Sequence, residues 1–341
     1  MRILVTVDPE IPVPPEKYGG VERLVEGLLK YYSEKGHQVR LVANSGSTSQ
    51  WPEQIYAWPA NQSRGIRNSW SNAWFLLKCI RGFKPNAVHS FSRLLYMYPT
   101  FIFKPTFFLQ TYGRQISWKS TLLASTIAGR KLHFTCCGKH MVHSKLKRKH
   151  KFTPVHNFTL PELFPLKSGA DYMVFLGRIE DIKGTKEAIA VAKATGNNLV
   201  IAGNIQPGHE WYFEQEVQPW VDEDCIKYLG PVNDEQKKAL FSKAKLFLFP
   251  IKWEEPFGMV MVEAMAAGVP VYAFGRGAVP EVVEEGVSGR IAGDLDELIA
   301  VVKNFDQENW SPQIIREQVV RNFSLEVIGE QYLSLLACGE K

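Results

Sequence analysis

The chain alternates short apolar runs with stretches of helical period along its whole length. Residues 3–7 (ILVTV) have the pattern of a buried strand, and over 21–32 the apolar positions recur at helical spacing. Residues 38–43 read as the next strand and 70–80 as a helix, with further strands at 87–91, 106–111 and 131–136. The second half repeats the scheme, with strands at 172–176, 199–202, 246–249 and 269–273 and helices at 183–194, 234–243 and 260–267. Strands this short suit parallel sheets buried on both faces, and their alternation with helices predicts the doubly wound α/β class. The stretch 160–169 (LPELFPLKSG), with two Pro and one Gly, reads as a linker. The expectation is therefore two Rossmann-like domains, 1–165 and 166–323, facing each other across a cleft.

Length and composition agree with this picture. At 341 residues, 45% hydrophobic and 22% charged, the chain can build two cores, and disorder and coiled coil are excluded. Five Cys without regular spacing make neither a disulfide framework nor a zinc module, and Cys136-Cys137 reads as two small residues at a buried strand end. A reducing, cytoplasmic setting fits. The first residues read as a strand followed by acids, so no signal peptide is expected. The most apolar stretch, 94–109, is broken by Pro99, Lys104 and Pro105 and is too short to span a bilayer.

Charge changes the picture more. Residues 1–168 hold 24 Lys and Arg against 8 Asp and Glu, a net of +16, while 169–341 hold 16 against 27, a net of −11. Between Glu53 and Glu162 there is no acidic residue at all, yet there are 17 Lys or Arg and six His. Two readings fit: composition drift on a solvated surface, or an anionic partner for the first half.

Candidate chemistry is expected at the carboxyl ends of strands, where open parallel sheets bind ligands. Gly19 and Gly20, in YGGVER, sit between the first strand and the first helix, where backbone N–H groups can meet an anion. An ordinary strand-to-helix loop reads the same way. Strand 172–176 runs into Gly177-Arg178, with Lys183-Gly184 five residues on. Two cations on one such loop suit a diphosphate, although a single surface Lys there would be unremarkable. The third element is WEEPFGMVMVEAMAAGVP, residues 253–270. Pro256 and Gly258 put Glu255 on a loop with the helix starting near Gly258, so Glu263 lies more than a turn inside it among Met, Val and Ala. A carboxylate there needs a partner, either ribose hydroxyls or a Lys or Arg.

Taken together, the GGVER loop, Gly177-Arg178 with Lys183-Gly184, and the Glu255/Glu263 pair within EPFGMVMVEAMAAGVPV resemble the family-4 glycosyltransferases, as does Gly277-Ala278-Val279-Pro280-Glu281 farther on. These are retaining nucleotide-sugar enzymes of GT-B fold, and the resemblance covers essentially the whole chain. It implies that Arg178 and Lys183 hold the donor diphosphate and that Gly19 and Gly20 offer backbone N–H groups. Glu263 would bind the ribose, and Glu255 the donor sugar. Phe257, Gly258, Met259 and Val260 would meet sugar and phosphate through their backbone. Arg178, Lys183 and the helix starts would stabilise the charge on the departing diphosphate, and with Glu255 they form the expected catalytic set. Tyr112 stands where many members carry a His close to the donor sugar. It and His89 are assigned to the acceptor or sugar side, the alternative for His89 being a satisfied loop histidine. The usual Asn-Gly before the linker is here Asn157-Phe158.

No cofactor is expected, the nucleotide-sugar being co-substrate, and no metal ion, because no Asp-x-Asp pair stands in the expected place. The resemblance makes the N-terminal domain the acceptor domain and lets a final helix, 324–341, cross back onto it. The basic segment around Lys145, Lys147, Arg148 and Lys149, with Trp70, Trp74 and Phe75, then reads as a peripheral contact with anionic lipid. The expected enzyme moves a hexose from a UDP- or GDP-sugar to an anionic or membrane-associated acceptor, such as a lipopolysaccharide, capsule or lipid-linked saccharide. It is expected to work in the cytoplasm at the inner face of the membrane. The alternatives are DNA or a soluble phosphorylated acceptor, a nucleotide-sugar epimerase, and a non-catalytic nucleotide-sugar-binding protein.

Overall fold

The computed structural model describes residues 1–15, 19–62, 65–102, 106–114, 116–142, 152–222, 224–306 and 309–338. The chain divides into two compact units, one made of Met1–Asn157 with Leu325–Lys341, the other of Phe158–Ser324.

In the N-terminal unit the strands are β1 (Arg2–Thr6), β2 (Gln38–Ala43), β3 (Gln54–Ala57), β4 (Ala87–Ser90), β5 (Phe107–Tyr112), β6 (Leu132–Cys136) and β7 (Phe152–Pro154). They form one sheet in the order β3-β2-β1-β4-β5-β6-β7, and every pair is parallel. Helix α1 (Gly20–Glu34) buries Leu24, Val25, Leu28 and Tyr32 along one face. Helices α2 (Ile66–Phe83) and α3 (Trp118–Ala128) and the 3-10 stretch Leu94–Ile102 share a core that includes Leu76, Ile80, Met97, Phe108 and Ala124.

The second unit contains β8 (Tyr172–Leu176), α4 (Thr185–Thr195), β9 (Leu199–Ala202), β10 (Ile226–Tyr228), α5 (Asp234–Ser242), β11 (Ala244–Phe249), α6 (Met259–Ala266), β12 (Val271–Phe274), β13 (Gly289–Ala292), α7 (Leu295–Lys303) and α8 (Pro312–Phe323). Its sheet runs β10-β9-β8-β11-β12-β13, again parallel throughout. Local signals set the helix starts: Asn233 and Gln236 close a reciprocal capping box on α5, and Ser311 caps α8 ahead of Pro312. The final helix, α9 (Leu325–Ala337), packs on α1 and β5 within the N-terminal unit.

The strands at the centres of both sheets follow the sequence pattern closely. The short edge strands β3, β7 and β10, and helix α3, do not announce themselves. An edge strand of three or four half-buried residues has too little apolar alternation to register. In α3 the outward face carries Leu123 and Ile127, which blurs the helical period. The stretch 160–169 is not a free tether. Thr159 N–H donates to Phe323 O (2.9 Å), Lys167 N–H to Ala267 O (2.8 Å) and Ser168 N–H to Ser242 O (2.8 Å), which ties it into the second unit. The division accordingly falls at Asn157/Phe158, and residues 158–165, read from sequence with the first domain, lie in the second.

Candidate functional site

In the second sheet the strand order reverses between β8 and β11, which lie side by side. The connections that leave the carboxyl ends of two such strands diverge in opposite directions and leave a crevice between them, the expected ligand site of a doubly wound sheet. The loop after β8 carries Arg178 and Lys183, and the loop after β11 carries Trp253 and Glu255. Lys183 Nζ lies 2.6 Å from Glu255 Oε2, and the Trp253 indole N–H donates to the same oxygen at 3.0 Å. The ammonium also sits 5.0 Å from the centroid of the Trp253 ring. Both charged side chains are only 13% exposed, so the pair is held in a partly desolvated site where its orientation is fixed.

Helix α4 starts two residues later than the periodicity predicts. Residues Asp181–Lys183 form a 3-10 turn, and Gly184 follows in a left-handed conformation (φ 80°) before α4 begins at Thr185. A Cβ on Gly184 would stand 2.0 Å from the carbonyl oxygen of Pro250, so only glycine lets the two loops close on each other here. The loop after β12 holds the backbone of the Glu254–Glu255 segment. Ala278 N–H donates to Glu255 O (3.0 Å), and Gly277 N–H to the Glu254 side chain (2.9 Å).

Arg178 pairs with Glu180 at 2.7 Å and remains 35% exposed. Gly258 precedes α6, with Met259 and Val260 opening the helix and their side chains half-buried. The Phe257 side chain is buried at 2% exposure and packs edge-on against Phe323, so only its backbone is offered to a ligand. Glu263 does have a cationic partner: Lys237 Nζ of α5 approaches its carboxylate to 2.7 Å, both groups being about 15% exposed. Sequence reasoning missed Lys237, Trp253 and Glu180. The capping box at Asn233 could have put Lys237 one turn into α5, but not opposite Glu263.

In the N-terminal unit Gly19 precedes α1 and Gly20 opens it, at the carboxyl side of β1. Two further carboxyls lie there: Asp8, which no motif marks out, and Glu22, which falls within GGVER. Asp8 accepts from Arg93 N–H (2.8 Å) and pairs with Arg114 (3.1 Å), yet burial still raises its pKa. Glu22, in the first turn of α1, is 7% exposed, and burial, with Asp8 and Glu10 adding to it, raises its pKa too. Asp8, Arg93 and Arg114 follow β1, β4 and β5, around the point where this sheet reverses its strand order.

His89 belongs to the interior of this unit, and Tyr112, at the end of β5, is half-buried. His89 is fully buried in β4, 2.9 Å from the Tyr32 hydroxyl through Nδ1 and 2.8 Å from Thr111 Oγ1 through Nε2. Its ring also lies 4.7 Å from that of Tyr332 on α9. Both ring nitrogens are therefore engaged, and the satisfied-histidine reading describes it. Tyr112 stacks on Phe134 at 6.1 Å, and burial pushes its hydroxyl up to about 12. The basic residues Lys145, Lys147, Arg148 and Lys149 lie outside the described residues.

The His89 environment gives a pH prediction. Burial pulls its pKa from 6.5 down to about 3, so below pH 6.5 the unfolded chain takes up a proton that the folded chain refuses. Stability should fall as pH drops through that window, by about 2 kcal/mol between pH 7.5 and pH 5 from this residue. Urea midpoints at the two pH values should differ less in His89→Asn; an unchanged difference would show that His89 does not set it.

Comparison with known proteins agrees with this geometry. Residues 159–307 match the family model of glycosyl transferases group 1, and residues 18–106 match that of glycosyltransferase family 4. Over 150 residues the chain is 32% identical to a D-inositol 3-phosphate glycosyltransferase of Mycolicibacterium smegmatis, covering 42% of this chain and 34% of that protein. It is 33% identical over 121 residues to a phosphatidyl-myo-inositol mannosyltransferase of Mycobacterium leprae, covering 32% and 30%. These matches span about a third of each relative's length. A glycosyltransferase structure from Rickettsia africae superposes with a TM-score of 0.82 at 17% identity, covering 100% of this chain and 99% of the other. That likeness shows the fold, two parallel-sheet α/β domains of GT-B type.

Proposed function

We propose that the chain is a retaining glycosyltransferase that takes a hexose from a nucleoside-diphosphate sugar. The observation that carries this reading is the Lys183–Glu255 pair at the strand-order reversal of the second sheet; Arg178 stands on the same loop after β8 as Lys183, and α6 opens at Met259 on the chain that follows Glu255. In this reading Arg178 and Lys183 face the diphosphate, and Glu263 with Lys237 meets the ribose. Glu255 turns to the sugar hydroxyls once Lys183 shifts its charge toward phosphate. Backbone N–H groups at 257–260 complete the anion site at the first turn of α6. In the N-terminal unit, Gly19 and Gly20 are proposed to offer backbone N–H groups to an anion at the start of α1.

Breaking the anomeric bond leaves positive charge on the sugar and negative charge on the diphosphate. Cations and helix starts fixed beforehand near the leaving group lower that barrier without reorganising. The acceptor hydroxyl attacks on the face the diphosphate leaves, and a phosphate oxygen takes its proton, so no protein nucleophile is needed. We propose that transfer needs no metal ion, and chelation should leave the rate unchanged.

The acceptor is proposed to be anionic and membrane-associated, a lipid-linked or lipopolysaccharide-type saccharide, on the strength of the acid-free run from 54 to 161. The phosphorylated and lipid acceptors named for the two mycobacterial relatives support an anionic acceptor.

Thermal-shift screening against UDP, GDP and their sugars tests the donor side. At a hundred times Kd a ligand should stabilise by about 2.7 kcal/mol. Glu263→Gln should weaken nucleotide binding about tenfold, since a hydrogen bond to a charged group contributes about 1.5–3 kcal/mol. No shift with any nucleoside-diphosphate sugar would overturn the reading.

A further inference from the structure

Every large apolar side chain that stands exposed in the N-terminal unit, among the described residues, belongs to one layer of the fold. On α2, Ile66, Trp70 and Trp74 follow at four-residue steps and are 80%, 53% and 54% exposed, forming a single stripe along the helix. On α3, Leu123 and Ile127 repeat the arrangement at 55% and 54%. The 3-10 stretch Leu94–Ile102 packs against both helices and adds Leu95 and Ile102. The inner faces of all three segments share one core over β4 and β5, so their outer faces look the same way.

The same outer faces carry only positive charge of their own. Arg67, Lys78 and Arg81 are exposed on α2, as are Lys119 on α3 and Arg130 just beyond it, and no Asp or Glu occurs from 54 to 161. A second copy of this face would set cation against cation. Nucleic acid would use the charges and could stack on the two Trp rings. It has nothing to offer aliphatic side chains such as Ile66, Ile102, Leu123 and Ile127. An anionic bilayer answers every component, with phosphates for the cations, the headgroup boundary for Trp and acyl chains for the aliphatic groups.

We infer that the α2–α3 layer is a docking surface for an anionic lipid bilayer, its Ile, Leu and Trp side chains entering the headgroup–acyl boundary while Arg67, Lys78, Arg81, Lys119 and Arg130 meet lipid phosphates. This deepens the membrane-associated acceptor reading, and its biological meaning rests on it. It widens the contact expected from sequence, the 145–149 segment with Trp70, Trp74 and Phe75, to the exposed faces of α2, α3 and the 3-10 stretch between them. No described helix is long and apolar enough to cross a membrane.

Vesicle flotation of the full chain tests it, with phosphatidylcholine vesicles either alone or mixed with phosphatidylglycerol. Partition should be at least about tenfold higher onto the anionic vesicles and should fall with salt. Trp70→Ser with Trp74→Ser, and separately Leu123→Ser with Ile127→Ser, should each lower that partition about tenfold or more. Lys78→Glu with Lys119→Glu should do the same while leaving the apolar stripes in place. All these positions are exposed, so melting temperature and nucleoside-diphosphate binding should hold and certify the fold. Vesicle partition that survives all three double substitutions would overturn the inference. So would a wild-type chain that binds neither vesicle, or variants that lose duplex-DNA binding or self-association with vesicle partition intact. Flotation needs no donor sugar, so failure of the transferase reading would show separately, as absent nucleotide-sugar binding.

Discussion

Replacing Lys183 with alanine should lower kcat for sugar transfer by about 10²- to 10³-fold, the size of effect seen when one preorganised charge-stabilising donor is removed. Lys183 is doubly placed for this. It is aimed into the crevice between the β8 and β11 loops, and it is the counter-ion of Glu255 at 2.6 Å. Alanine would remove the cation proposed to face the leaving group and would leave the Glu255 carboxylate, only 13% exposed, with the Trp253 indole N–H as its remaining side-chain donor among the described residues. A bound diphosphate would then face an uncompensated negative charge, so donor affinity should fall together with kcat.

A double-substitution cycle separates the two roles. If Glu255 serves only to hold Lys183, then Lys183→Ala with Glu255→Ala should be no slower than Lys183→Ala alone. If Glu255 also meets the sugar, the double variant should be slower still, and Glu255→Ala alone should abolish transfer while Lys183 remains. Kinetics on the purified variants, with circular dichroism to certify the fold, would decide. Activity in Lys183→Ala within about threefold of the wild type would refute the site, since such a change is under 1 kcal/mol of barrier.

The largest effect on stability is expected at Gly184. Its φ of 80° is strained for any residue with a Cβ, and the Cβ itself would lie 2.0 Å from Pro250 O and 2.8 Å from Pro250 C. These are backbone atoms that no rotamer change can move aside. Gly184→Ala must therefore push the β8 and β11 loops apart or unwind the start of α4, at about 3 kcal/mol or more. In a unit of this size that is about 6–12 °C in Tm. Gly196, at the other end of α4, is the control, with φ 64° and open space for 4 Å around the place a Cβ would take. Gly196→Ala should cost only about 1 kcal/mol. Calorimetry on both variants checks the contrast; equal losses would mean that the close approach to Pro250 is not what requires glycine. Because the same loops bring Lys183 to Glu255, Gly184→Ala should also weaken nucleotide-sugar binding, whereas Gly196→Ala should not.

How much of this could be read from the chain depends on how local each cause is. The central strands were legible because burial on both faces leaves a short apolar run, as in Tyr172–Leu176 and Leu199–Ala202. The start of α6 was legible because Pro256 and Gly258 act within a few residues of where they stand. The later start of α4 was not, because Gly184 is set by a carbonyl 66 residues away. The partner of Glu263 was left open between sugar hydroxyls and a cation, and Lys237 answers from a different helix. Sequence leaves His89 between the acceptor or sugar side and a satisfied loop histidine, and the packing of Tyr32, Thr111 and Tyr332 around it makes it an interior group of β4.

Sequence alone determined the two α/β halves, their opposite charges and the motifs that resemble those of glycosyltransferases, since periodicity, composition and motif spacing are properties of neighbours along the chain. Tertiary structure alone decided which charges pair and which apolar residues stay outside. Lys183 meets Glu255 because β8 and β11 lie side by side. Trp70, Trp74, Leu123 and Ile127 are left exposed because the inner faces of α2 and α3 already fill the core. Both outcomes depend on contacts between segments far apart in the chain, and those exist only once the sheets have assembled.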